Sequence, residues 1–554
     1  MHQPCLGAGP VYPIRRRTAT VKIIAADDIS KHAIELLRAE ASWEVLDLAR
    51  GPKMDAAARK RRVNEEIRDA DALIVRSATQ VTPELLSQAS RLRVVGRAGV
   101  GVDNVDLEAA TRKGVVVMNT PGGNAASVAE HTFALLLALA RGIPQADASL
   151  KQQRWEKKAF VGMELRSKKL GLVGFGRIGA EVTRLAQAFG MQVAAYDPYA
   201  SPQVAADLNV RLVSLEELFR TSDFISLHAA LTPESHHLVN AHTLAFAQPD
   251  LRLVNCARGE LVDEAALFEA LERGQLAGAA LDVFETEPPR DWRLAAHPHV
   301  IATPHIAGST EEAQEIVGLR IAEQVRDYLR DGIARNAVNL PPVSPEEYAR
   351  LKPYLELGEK LGAFLGQIGS RPVAVIRISY DGGLAELDTH LVKNAVLKGV
   401  LSQVAEDVNL VNAGSVAQSR GIEVIELRSA RRASFSNSLG IALSRGEQSA
   451  SVLGMVGLRD SLRILGIDDI DVEAPLKGVI LYIRNQDVPG VIGRVGTLLG
   501  ERQINIANFA LGRSPELREA IGLVSVDQRI PAGVLDELRA IPAIREARVV
   551  EIND

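Results

Sequence analysis

Cysteine is nearly absent: Cys5 and Cys256 are the two in 554 residues. Two thiols cannot build a disulfide framework, so stability has to come from packed cores, and a reducing cytoplasm is the expected setting. Long apolar runs are missing too. The longest, Phe133 to Ala140, is too short to cross a bilayer and reads as a buried helix, so no membrane partner is expected. Residues 1–19 contain Gly7, Gly9, Pro10, Pro13 and Arg15-Arg16-Arg17 but no apolar core, so they read as a disordered lead-in and not a signal peptide. Nor is there an excess of one charge. With 64 basic and 69 acidic residues the net charge is −5, which argues against general nucleic acid binding while leaving room for a local anion pocket. The hydrophobic share of 47% supports several cores, and at about 150 residues per domain the length suggests three or four domains.

The most informative segment is Lys169 to Gly179, an apolar strand followed by Gly174, Gly176 and Gly179 and then an amphipathic helix. This spacing suits a dinucleotide pyrophosphate. The first glycine permits the tight turn, the second lets backbone approach phosphate, the third lets helix and strand pack, and the helix N-terminus supplies amide donors and dipole. A carboxylate about twenty residues on should accept the adenosine ribose diol. Asp197, at the end of Val193 to Tyr196, fits that role and would repel the 2′-phosphate of NADP, so NAD is the expected cofactor. A glycine-rich turn is the alternative, and the strand, helix and acid in sequence weigh against it.

From Val21 onward short β-branched strands alternate with helices, the rhythm of a parallel sheet. Strands at Val21 to Ala25, Trp43 to Leu48, Ala72 to Val75, Val94 to Gly96 and Val115 to Val117 make one α/β lobe. A second lobe follows, with an apolar helix through Glu130 to Arg141 and strands at Gln192 to Tyr196, Phe224 to Leu227, Leu253 to Asn255 and Ala279 to Asp282. A helix from Thr310 to Arg330 is expected to return to the first lobe. The fold class is therefore α/β, two Rossmann-like doubly wound lobes around a cleft into which the strand ends open.

Near the ends of the later strands lie Arg258, Glu287 and His305. Oxidising a 2-hydroxy acid needs a base for the hydroxyl proton, a cation for the carboxylate and carbonyl, and a group that orients the base. Arginine offers a planar two-pronged donor, histidine titrates near neutrality, and a neighbouring carboxylate fixes the imidazole tautomer and raises its pKa. Taken singly, Arg258 reads equally as a surface ion pair, Glu287 as a solvated residue before prolines and His305 as a capping or core residue. Their joint placement after a dinucleotide motif favours the catalytic reading.

The segments Gly96 to Asp106, Asn119 to Asn124 and Asn255 to Gly259 resemble the D-isomer-specific 2-hydroxyacid dehydrogenases, and the likeness runs from about Val21 to the C-terminus. The resemblance implies catalytic roles for Arg258, Glu287 and His305. On the cofactor side it implies Gly174, Gly176, Arg177, Ile178, Gly179, Asp197, Cys256, Asp282 lining the nicotinamide side, His305, Gly308 and Val100. Some relatives carry threonine where Val100 stands, which here removes one hydroxyl contact to the cofactor. Arg76, Ser77, Arg97 and Asn124 resemble substrate-side positions, and Lys157 is placed to reach the anion from a partner subunit; ordinary surface arginines and lysines remain the alternative.

The resemblance implies 3-phospho-D-glycerate as substrate, oxidised to 3-phosphohydroxypyruvate in the first step of serine synthesis, and a substrate with both a phosphate and a carboxylate calls for this many cations. The alternatives are a sister enzyme reducing hydroxypyruvate, glyoxylate or 2-oxoglutarate, and, from another class, a non-catalytic NAD-sensing corepressor. No metal is assigned.

From Lys477 the pattern reads strand, helix, strand, strand, helix, strand, a ferredoxin-like order that resembles an ACT domain. The resemblance implies L-serine as effector, held by Asn485, Asp487, Pro489, Gly490 and Asn505; plain dimerisation is the other reading. Pro341 to Pro345 marks a linker. The stretch beyond it mixes helices (Tyr354 to Gln367, Val392 to Asn409) with strands (Val373 to Ser379, Glu423 to Arg428), and resembles the intervening domain of long family members. The glycines from Gly358 to Gly369 read as helix packing. The expected division is 1–19 lead-in, 20–118 with 307–335 substrate lobe, 119–306 NAD lobe, 336–475 intervening α+β domain and 476–554 ACT domain. By resemblance the assembly is a homotetramer.

Overall fold

Val21–Ala25 pairs in parallel with Trp43–Asp47 on one side and Ala72–Val75 on the other, and Val94–Arg97 and Val116–Met118 complete a five-stranded sheet. Helices cover its strands, which is why they read as unbroken apolar runs. Ser30, Asp55, Thr82 and Asp106 start four of the helices by accepting a first-turn amide on the side chain, each worth about 1 kcal/mol. The computed structural model describes residues 20–50, 55–341, 345–369, 372–405, 408–429, 437–446 and 448–552. The expected lead-in, with Cys5, and residues 342–344 of the expected linker lie outside the described residues.

The second sheet has seven parallel strands in the order Val300–Ala302, Gly278–Leu281, Arg252–Asn255, Phe224–Leu227, Lys169–Val173, Gln192–Tyr196, Arg211–Leu212. The chain order reverses between Lys169–Val173 and Phe224–Leu227, so the glycine loop opens at the topological switch point, where ligands of such sheets bind. The apolar helix runs from Ala125 to Arg141 and packs against Arg177–Ala188 with Val128, Phe133 and Leu136 buried. Among the described residues no single helix is long and apolar enough to cross a membrane.

Glu311–Asp331 returns to the first sheet, laying Ile321 and Val325 against Gly96. The chain stays on that sheet beyond residue 335: Ala337 bridges Met118, Val338 donates to the Val117 carbonyl, and the Asn339 side chain accepts from the Val117 amide.

In the intervening region Pro345–Ile368 packs on His390–Leu401 at glycine contacts, where a Cβ on Gly362 would lie 2.5 Å from the Val396 carbonyl oxygen. The expected helix Val392 to Asn409 stops at Leu401. Asn409 and Asn412 exchange side-chain to backbone hydrogen bonds that turn the chain, the usual competition of asparagine with a helix. The same two side chains donate to the Gly114 and Arg112 carbonyls of the substrate lobe. The sheet here has six strands, not the two expected: Glu423–Ser429, Val375–Gly382, Asn437–Arg445, Gln448–Val456, Leu462–Ile467 and Ile470–Pro475.

The terminal unit follows the expected order, an antiparallel sheet Ile506–Ser514, Glu519–Val526, Gly478–Gln486, Ile544–Ile552 with Val491–Glu501 and Ala532–Arg539 on one face. Leu481 and Ile483 point toward those helices, while Ile480 and Tyr482 join a core shared with the intervening domain and the substrate lobe. The two-lobed α/β architecture with α+β and ACT appendages is thus the one the sequence indicates.

Candidate active site

Gly174 has φ 92°, and a Cβ there would meet the Ala229 nitrogen at 2.6 Å, so backbone and space both demand glycine. Gly176 caps Arg177–Ala188 without any side-chain acceptor, and nothing lies within 4 Å of where its Cβ would be. The first-turn amides therefore face open space at the positive end of a helix. Asp197 accepts from the Phe175 amide on Oδ2 and the Tyr199 amide on Oδ1, both 2.8 Å, which leaves lone pairs for a ribose diol. These residues fit a dinucleotide. Arg177 is exposed and lies over Gly122, Ile178 packs on the lobe core, and Gly179 sits against the Gly174 carbonyl. Val100 is half-buried, its carbonyl accepting from Asn119. Cys256 is buried beside Thr132, and that burial pushes its thiol up to about 12, so it is inert.

His305 and Glu287 meet: Nδ1 lies 2.7 Å from Oε2, and Oε1 accepts the Phe284 amide at 3.2 Å. The hydrogen bond to Glu287 raises the His305 pKa above its ordinary value, against partial burial and the nearby Arg258 charge. Glu285 braces this loop through a backbone amide bond to Glu264.

Three guanidiniums gather in the cleft, Arg76 and Arg97 from the first lobe and Arg258 from the second. Arg258 reaches Asp103 at 3.0 Å, and Arg76 donates to the Asp28 carbonyl while its amide donates to the buried Asp27. Arg97 is held down to about 10 by burial first and then by Arg258, yet it stays cationic at neutral pH. Its Nε is buried without a hydrogen-bond partner among the described residues, and the Asn124 Oδ1 is in the same state beside Gly308. The Arg97 Nε is an unmet donor in a cationic pocket and suits an anion, whereas the Asn124 Oδ1 is an acceptor and suits a donor group. Ser77 is exposed at the mouth. Lys157 is exposed on a short turn, and no ion pair among the described residues brings it to this cluster.

Asp282 is wholly buried, its carboxylate accepting from Thr303, Ile306 and Ala307, so it supports the turn that carries His305. In the terminal unit Asp487 takes a two-pronged contact from Arg513, Asn505 donates to Asp527, Asn485 is buried and donates to the Gln486 carbonyl, and Pro489 and Gly490 lead into Val491–Glu501. Sequence reasoning missed Asp103, Asp27, Thr303 and His131. Asp103 lies within the Gly96 to Asp106 motif, and an acid there facing an arginine was the available signal.

Residues 133–307 match the D-isomer specific 2-hydroxyacid dehydrogenase NAD binding domain, residues 350–468 the D-3-phosphoglycerate dehydrogenase intervening domain, and residues 479–543 the ACT domain. The fold and site define an NAD-dependent D-2-hydroxyacid dehydrogenase. The D-3-phosphoglycerate dehydrogenase of Methanocaldococcus jannaschii is 42% identical over 96% of this chain and 100% of its own length, and that of Bacillus subtilis is 42% identical over 88% and 93%. Among solved structures, a glyoxylate reductase from Paecilomyes thermophila covers 59% of this chain and 99% of its own at 28% identity and TM-score 0.52. A Thermus thermophilus protein covers 57% and 100% at 36% identity and TM-score 0.52. The chain belongs to the D-3-phosphoglycerate dehydrogenase family.

Proposed function

We propose that this chain oxidises 3-phospho-D-glycerate to 3-phosphohydroxypyruvate with NAD, opening serine synthesis. The observation that carries this is the gathering of Arg76, Arg97 and Arg258 beside the His305–Glu287 pair, with the Arg97 Nε still unpaired. Three cations exceed what lactate or glyoxylate needs.

His305 presents Nε2 to the substrate hydroxyl and takes its proton, because Nδ1 is engaged by Glu287. Glu287 then stabilises the imidazolium. Arg258 grips the carboxylate and the developing carbonyl in a planar fork, and this preorganised charge is the usual large catalytic contribution. Arg76, Ser77, Arg97 and Asn124 hold the rest of the substrate, and Lys157 of a neighbouring subunit contributes a further cation. Gly174, Gly176, Gly179 and the amides after them hold the pyrophosphate, Asp197 the ribose, and Arg177, Ile178, Val100, Cys256, Asp282 and Gly308 shape the remainder. When bound, NAD supplies the hydride acceptor.

We read the terminal unit as an L-serine effector site at Asn485, Asp487, Pro489, Gly490 and Asn505. We read the assembly as a cytoplasmic homotetramer paired through the nucleotide lobe, where Leu150, Trp155 and Val161 are exposed apolar side chains, and again through the terminal domains. Light scattering at fixed concentration tests that stoichiometry.

Assays with NADH across phosphohydroxypyruvate, hydroxypyruvate, glyoxylate and 2-oxoglutarate test the substrate. Phosphohydroxypyruvate should have the highest kcat/KM, and no turnover of it ends this reading. A non-catalytic NAD sensor is disfavoured because the complete trio is present.

A further inference from the structure

We propose that Thr303 and His131 are positioning residues for the His305 turn, acting through Asp282. The inference rests on His305 as the base. His305 adopts φ 53°, a left-handed conformation that a histidine enters at a cost, so the surroundings must impose it. Asp282 imposes it from both ends. Its backbone carbonyl accepts the His305 amide at 2.8 Å, and its carboxylate accepts the next two amides, Ile306 at 2.9 Å and Ala307 at 2.8 Å. A carboxylate that is 0% exposed holds such a role only if its lone pairs are met, and Thr303 Oγ1 donates to Oδ1 at 2.6 Å.

His131 completes the arrangement. Its Nε2 lies 3.3 Å from Thr303 Oγ1 and 3.4 Å from Asp282 Oδ1. Thr303 gives its one hydroxyl proton to Asp282, so its oxygen can only accept from His131, and the carboxylate also only accepts. Nε2 therefore carries a proton, which fixes the His131 tautomer. His131 belongs to the helix Ala125–Arg141, whose N-cap, Asn124, lies against Gly308 just past the turn. Helix and turn are thus held together on both sides of His305. Among the described residues neither Thr303 nor His131 hydrogen-bonds the His305 ring, so they act on it through Asp282 and the backbone of the turn.

Thr303→Val keeps the shape and removes the donor. Loosening the turn moves the imidazole off Glu287, and misplacement of this kind should lower kcat roughly 10- to 100-fold. The charges that reach His305 come from Glu287, Asp282 and Arg258. Weaker pairing with Glu287 should shift the acid limb of the oxidation pH profile to lower pH, a change that mere loss of folded enzyme would not cause. Thr303→Ser should restore both kcat and the limb, and His131→Gln, which keeps a donor, should exceed His131→Phe. Wild-type kcat in Thr303→Val, or lost activity with an unmoved limb, overturns the proposal. If Thr303→Val fails to fold, equal kcat and equal pH limbs in the two folded His131 variants overturn it alone. His305→Asn is measured alongside: full turnover there would refute the base assignment itself, whereas a dead His305→Asn beside an unaffected Thr303→Val refutes only the positioning role.

Discussion

Arg258 and Asp103 meet from opposite walls of the cleft, the guanidinium 3.0 Å from the carboxylate. Asp103 thus occupies the partner that a substrate carboxylate needs. Asp103 is largely exposed, so the competition is screened and modest. Asp103→Asn should lower KM for the acid about 2- to 5-fold with kcat nearly unchanged, an effect below about 1 kcal/mol. Steady-state kinetics decide it, and a higher KM would show that Asp103 orients Arg258.

His305 must start neutral to accept a proton during oxidation. Glu287 raises its pKa, so the oxidation rate should climb with pH only above the ordinary histidine value, and Glu287→Gln should move that limb to lower pH while reducing kcat. The reverse reduction needs the protonated ring and should show the opposite slope. The pair's contribution to stability is complete below the unfolded value of about 6.5 and is lost as pH rises through the raised folded value. Melting curves of Glu287→Gln against wild type should therefore diverge near pH 6 and converge in alkali.

Gly259 lies behind the site. A Cβ there would sit 1.9 Å from the Phe284 carbonyl carbon and 2.4 Å from the Glu285 nitrogen, so the loop carrying Glu287 would have to move. Gly259→Ala should cost roughly 1–3 kcal/mol and reduce kcat without altering any reacting group. Thermal unfolding and turnover measured together test this; two unchanged values would contradict it.

Arg513 takes both oxygens of Asp487, the carboxylate proposed to meet the effector's ammonium. Arg513→Ala should tighten serine binding a few-fold, and Asp487→Ala should abolish it. Isothermal titration reads both. Weaker binding in Arg513→Ala would mean that the guanidinium holds the ligand instead of competing with it.

Much of this was legible in the sequence because the signals were local. Glycines spaced for a turn, an acid after the next strand and caps such as Ser30 and Asp106 depend on neighbours a few residues away. The strands Asn437–Arg445 and Gln448–Val456 were not legible: serines, Gly440 and Gly454 interrupt their alternation, and only pairing with distant strands reveals them. Asp282 was legible as a site residue but not as a turn support, because its partners Thr303, Ile306 and Ala307 lie more than twenty positions on. The Asp487–Arg513 contact escaped for the same reason, as it joins the loop after Gly478–Gln486 to the strand Ile506–Ser514 across 26 residues.

The core that passes from the substrate lobe through Pro345–Ile368 to the inner face of the last sheet carries a further consequence. Ile480, Tyr482, Ile521, Leu523 and Val550 are each at most 2% exposed on or beside that face, and Gln367 bonds both the amide and the carbonyl of Glu551. The terminal unit is therefore no detachable accessory: truncation at residue 476 would strip a greasy wall from the intervening domain, so a shortened enzyme should clump and melt early before any loss of feedback could be read from it.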